Sequence, residues 1–112
     1  MSLSWYEVEQ GDVILYRYNN DTYPEHCPAG YYIAEFINRE PVHDGFTITE
    51  KYYFGSGVPD LGDIFLTNEK ITDDPSVWYN YDGNIIVEMM GVYKKFDDAI
   101  KYVTEHFPEY AI

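Results

Sequence analysis

A chain of 112 residues, 46% of them hydrophobic, is long enough for one domain with one real core and too apolar for a disordered tail. Twenty acidic residues against seven basic ones leave a net charge of −13, which argues against binding nucleic acid or an anionic membrane through a basic face. The single cysteine, Cys27, rules out an internal disulfide framework and a thiolate-rich metal site, and the opening residues show no basic, apolar leader, so a cytoplasmic protein is expected.

Strand signals dominate the first three quarters of the chain. Residues 5–9 read as a short edge strand. Residues 12–18 follow the Gln10-Gly11-Asp12 turn and are apolar on both faces until Arg17, the mark of a central strand. Residues 19–29, with Pro24 and Pro28, read as loop. In 31–38, Tyr32, Ala34 and Phe36 share one face, with Tyr31, Ile33, Glu35 and Ile37 on the other. In 46–54, Phe46, Ile48, Glu50 and Tyr52 alternate with Thr47, Thr49, Lys51 and Tyr53. These two runs flank a turn at Pro41 and Asp44-Gly45 and are expected to pair as a hairpin.

A flexible Gly55-Ser56-Gly57 loop leads to a short strand at 64–67, and 68–76 is polar. Residues 77–81 and 84–89 flank Asp82-Gly83, a strong hairpin signal because both central positions of a type I′ turn need positive φ. Near the end, Phe96, Ala99, Ile100, Val103 and Phe107 fall on one stripe of a helix. Asp97 and Asp98 suit its first turn, Asp97 and Lys101 stand at ion-pair spacing, and Pro108 stops it. The expected fold is therefore α+β, a single domain over residues 1–112: an antiparallel β-sheet of about five to six strands with one C-terminal amphipathic helix packed on one face. One helix cannot cover a sheet, so curvature, long loops or a partner must cover the rest.

Chemistry-bearing constellations are sparse. His26 and Cys27 are adjacent and point apart in extended chain, so a Cys–His pair would need His43 or His106 brought close in space. The three histidines show none of the short metal-ligand spacings, and Asp60-Leu61-Gly62-Asp63 lacks the periodicity of a calcium loop; no metal or other cofactor is expected. Glu7 with Glu9, and Glu35 with Glu50 across the hairpin, are the carboxylate pairs that acid–base chemistry would use if one of them lay in a cleft.

What remains is collective. Carboxylates interleave with aromatic rings, which make up 19% of the chain. Acids steer encounter with a basic partner, and rings supply central contacts. The expected function is that of a small acidic, non-enzymatic binding protein of the inhibitor, immunity or regulatory type. It would dock on a basic protein, a nucleic-acid-binding one in the sharpest form, with carboxylates standing where phosphates would. The candidate contact residues are Glu69, Asp73, Asp74, Trp78, Tyr79, Tyr81 and Asp82 around the late loop and hairpin, with Asp97, Asp98 and Glu105 on the helix. Two other readings stay open: a small cysteine- or carboxylate-dependent enzyme or ligand-binding domain, and an assembly subunit that forms a homodimer through its uncovered sheet face.

Overall fold

The computed structural model describes residues 7–18, 28–40, 45–67, 77–80 and 86–107, with only the backbone described at 77–80 and at Glu40, Thr67 and Ile86. Six strands, β1 (Val13–Tyr18), β2 (Gly30–Glu40), β3 (Gly45–Phe54), β4 (Asp63–Thr67), β5 (Val77–Asn80) and β6 (Ile86–Tyr93), precede one helix, α1 (Phe96–His106). Each strand pairs antiparallel with its neighbours in sequence, and β6 returns to pair with β1, so the sheet closes into a barrel. The α+β expectation of an antiparallel sheet with a C-terminal helix is met, and curvature is what covers the face the helix cannot reach. That face is the barrel's own interior; on the outside, α1 packs against β6, β1 and β2.

The interior holds Ile14, Tyr16 and Tyr18 of β1, Tyr32, Ala34 and Phe36 of β2, Phe46 and Ile48 of β3, Leu66 of β4, and Val87 and Met89 of β6. A second layer lies outside: Val13, Leu15, Ile33 and Phe54 meet Ala99 and Val103 of α1, with Tyr31, Tyr93, Phe96, Tyr102 and Phe107 at its margins. This is why β1 is apolar on both faces. Its even-numbered side chains fill the barrel, and its odd ones lie beneath the helix until Arg17.

Three β-bulges adjust the alternation. Ala34 pairs with Glu50 and Ile33 with Tyr52, so Lys51 is the extra residue, and Lys51 and Tyr52 both face outward. Tyr53 therefore turns inward against the interior cluster, and Tyr52, 42% exposed, meets the edge of Phe96 outside. This reverses the expected placement of Tyr52 and Tyr53. Further bulges at Ile37 and Met90 bend β2 and β6.

Strands β1, β3 and β5 end at what we call the upper end; β2, β4 and β6 end at the lower. Residues 5–9 do not extend the sheet where they are described: Glu7–Glu9 lie outside any strand, because a closed barrel has no free edge to extend. Val8 instead inserts into the interior cluster and plugs the lower end. The Arg39 guanidinium lies over the Phe36 and Phe46 rings and donates to the Val8 carbonyl at 2.7 Å. At the β1–β6 seam, Arg17 donates to its cross-strand partner Glu88 at 2.7 Å, and Lys94 donates to the buried Asp12 carboxylate at 2.7 Å. In α1, Lys101 lies 3.9 Å from Glu105 instead of pairing with Asp97.

Candidate functional site

The only buried charged side chains among the described residues are Asp12 and Glu50, and they sit in opposite electrostatic settings. Asp12 closes the start of β1. Its carboxylate accepts from the Glu9 amide at 3.0 Å and from Lys94. Burial raises its pKa, but the Lys94 and Glu9 contacts outweigh burial and hold it below the ordinary carboxylate value.

Glu50 has no such cation among the described residues. It follows Phe46 and Ile48 on the inward face of β3 and is 3% exposed. Both β1 tyrosines donate to the same carboxylate oxygen: the Tyr16 hydroxyl through a short bond and the Tyr18 hydroxyl at 3.2 Å. Burial pushes the Glu50 carboxyl up from about 4.5 to about 7, and the two phenols offset only part of that rise. The same burial, with Tyr18 and Glu50 beside it, drives the Tyr16 hydroxyl well above its ordinary value.

The rings around Glu50 are continuous. Tyr32 stacks on Tyr16 at 5.6 Å between centroids and lies 4.5 Å from Tyr18 and 4.9 Å from Tyr53. They touch one another around the carboxyl. Their hydroxyls reach the upper connections: Tyr32 donates to the Pro28 carbonyl at 2.6 Å, and Tyr53 donates to the Ala29 carbonyl at 2.8 Å while accepting from the Gly57 amide at 3.1 Å.

No protein family, curated protein or solved structure matches this chain.

The expected contact residues separate into three groups. Glu69, Asp73, Asp74, Tyr81 and Asp82 lie outside the described residues, as do His26, Cys27 and His43. Trp78 and Tyr79 are placed by backbone alone, in β5 opposite Val87 and Ile86. Asp97, Asp98 and Glu105 are exposed on α1, whose buried residues are Ala99 and Val103. Asp98 and Glu105 are seven positions apart and share a face, with Lys101 between them.

The pairing of Glu35 with Glu50 is not found: Glu35 lies opposite Thr49, and Glu50 opposite Ala34, on the other face of the sheet. Glu7 and Glu9 are exposed and not in a strand. Most of the described tyrosines point into the barrel or beneath the helix, so the exposed rings expected on the surface are represented among them by Tyr52 alone. Among the described residues no three His, Cys, Asp or Glu side chains gather in a way that could hold a metal ion.

The sequence places Glu50 only in a pair with Glu35, and its enclosure by tyrosines is not part of that reading. The signal was present, since an acid alternates with Phe46 and Ile48 on the apolar face of a strand.

Proposed function

We propose that this chain is a small acidic binding protein with no catalytic chemistry of its own, which docks on a basic protein. A protein whose own site receives nucleic acid is the partner that carboxylates on a rigid surface fit best. The observation that supports this reading is where the charge resides. Apart from Asp12 and Glu50, the described acids lie outside the core: Glu7 and Glu9 at the lower end, Glu35 on β2, Asp60 before β4 and Asp63 at its start, Glu88 on β6, and Asp97, Asp98 and Glu105 on α1. Arg17, Lys94 and Lys101 pair with Glu88, Asp12 and Glu105, and the net charge of −13 leaves the outward field negative. In this reading Glu69, Asp73, Asp74 and Asp82 add to that field, and Trp78, Tyr79 and Tyr81 supply the rings.

The test is binding to a panel of purified basic nucleic-acid-binding proteins, titrated with salt, with protamine as the control for unspecific attraction. Tight binding to one panel member that weakens steeply with salt, and weakens again in an Asp97→Asn, Asp98→Asn, Glu105→Gln variant, supports the proposal. Binding that ignores salt refutes it.

A second reading, as a carboxylate-dependent enzyme or ligand-binding domain, is favoured by Glu50 alone, because a carboxyl near neutrality suits proton transfer. Its test is a small-molecule thermal-shift screen. A compound that stabilises the wild type and not Glu50→Gln supports it.

A further inference from the structure

We propose that the upper end of the barrel is a proton-operated latch: neutral Glu50 keeps it shut, and loss of that proton releases the connections at Pro28–Gly30 and Gly55–Gly57.

Among the described residues, β1 contributes Tyr16 and Tyr18, β2 contributes Tyr32, and β3 itself contributes Tyr53; from β4 and β6 the interior cluster takes only apolar side chains. The other buried acid, Asp12, is already matched with Lys94 at the start of β1. Ionised Glu50 is thus a charge in an aromatic enclosure with two phenol donors and no described cation, a state relieved by admitting water.

The upper end lies nearest the carboxyl. The Glu50 amide itself bonds to the Gly62 carbonyl, in the β3–β4 connection, at 2.8 Å. Tyr32, in ring contact with both tyrosines that hold the carboxyl, anchors Pro28; Tyr53, in ring contact with Tyr32, anchors Ala29 and Gly57. The connections are seated tightly on these rings. A Cβ on Gly55 would lie 2.2 Å from the Tyr53 hydroxyl, and one on Gly30 would lie 2.8 Å from both the Phe54 carbonyl and the Tyr53 ring. A shift of the Tyr16–Tyr18–Glu50 contact therefore reaches both connections through two hydroxyl hooks. The lower end is held by Val8, Arg39 and the Asp12–Lys94 pair and has no part in this network.

Native-state hydrogen exchange at pH 5 and pH 8, corrected for the intrinsic pH dependence of exchange, tests the latch. In the wild type, protection of the Gly57 and Glu50 amides is expected to fall by up to about 70-fold, the share of the shift from 4.5 to about 7 that is expressed between pH 5 and pH 8. The Gly11, Asp12 and Phe36 amides at the lower end, bonded to Phe36, Glu9 and Asp12 carbonyls, are expected to hold. Glu50→Gln should abolish the response. Tyr53→Phe, which cuts one hook and leaves the carboxyl in place, should expose the Gly57 amide already at pH 5 while the Glu50 amide still responds to pH. Equal loss at both ends, no loss in the wild type, or the same loss in Glu50→Gln overturns the proposal.

Discussion

Replacing Glu50 with Gln should turn a pH-sensitive protein into a nearly insensitive one. The folded state holds the Glu50 proton more tightly than the unfolded chain does, with a value raised from 4.5 to about 7. Its contribution to stability is therefore complete below pH 4.5 and is lost progressively as pH rises towards 7. At about 1.36 kcal/mol for each pH unit of difference, the loss amounts to about 3 kcal/mol, a large share of the ~5–15 kcal/mol that holds a typical domain. Gln has the shape of the neutral acid and carries no proton to lose. The two proteins should thus be similarly stable at pH 4.5, and the variant should be the more stable by about 3 kcal/mol at pH 8. Urea unfolding followed by tyrosine fluorescence measures this directly. With a slope of about 1.5 kcal/mol/M, the wild-type midpoint should fall by about 2 M relative to the variant between these pH values. The titration of the exposed acids is common to both proteins and cancels in the comparison. Midpoints that move in parallel, or a variant less stable than the wild type at pH 8, would refute the reasoning.

Two further predictions concern packing and the seam. Gly45→Ala places a Cβ 2.7 Å from the Leu66 carbonyl and 2.4 Å from the Phe65 ring. It should cost about 1–3 kcal/mol and lower the thermal midpoint by several degrees in calorimetry. Asp12→Asn removes a carboxylate held below its ordinary value, whose contribution is present above 3.8 and lost as pH falls through the folded-state value. Because Lys94 is largely exposed, the variant should cost only about 1 kcal/mol at pH 7 in urea unfolding, and the difference should vanish towards pH 2.

Element identity was legible because hydrophobic period is a local property. The two-sided apolar character of 12–18 marked β1 as central, and the stripe from Phe96 to Phe107 marked α1. Two things were not local. Closure depends on β6 reaching β1, which no single segment announces. The faces of Tyr52 and Tyr53 depend on the extra residue at Lys51, which changes the phase of the strand without changing its composition. The same limit applied to Glu50. Its position on the inward face was readable from Phe46 and Ile48, but its enclosure by tyrosines of β1 and β2 required the ring to be complete. The abundance of tyrosine pointed outward to a partner, and most of the described rings turned out to fill the protein.

Five of the six ladders join strands that are consecutive in the chain and can zip from a local turn. The sixth, between β1 and β6, must gather segments from the two ends of the sequence, so it carries the largest loop-closure entropy of the six. That ladder is also the one carrying the longest-range charge contacts, Arg17 with Glu88 across 71 positions and Asp12 with Lys94 across 82. A slip of one residue would turn Ile14 and Tyr16 out of the barrel interior and separate both pairs of opposite charges. Closure thus has a single rewarded alignment, checked by burial along its length and by attraction near each extremity.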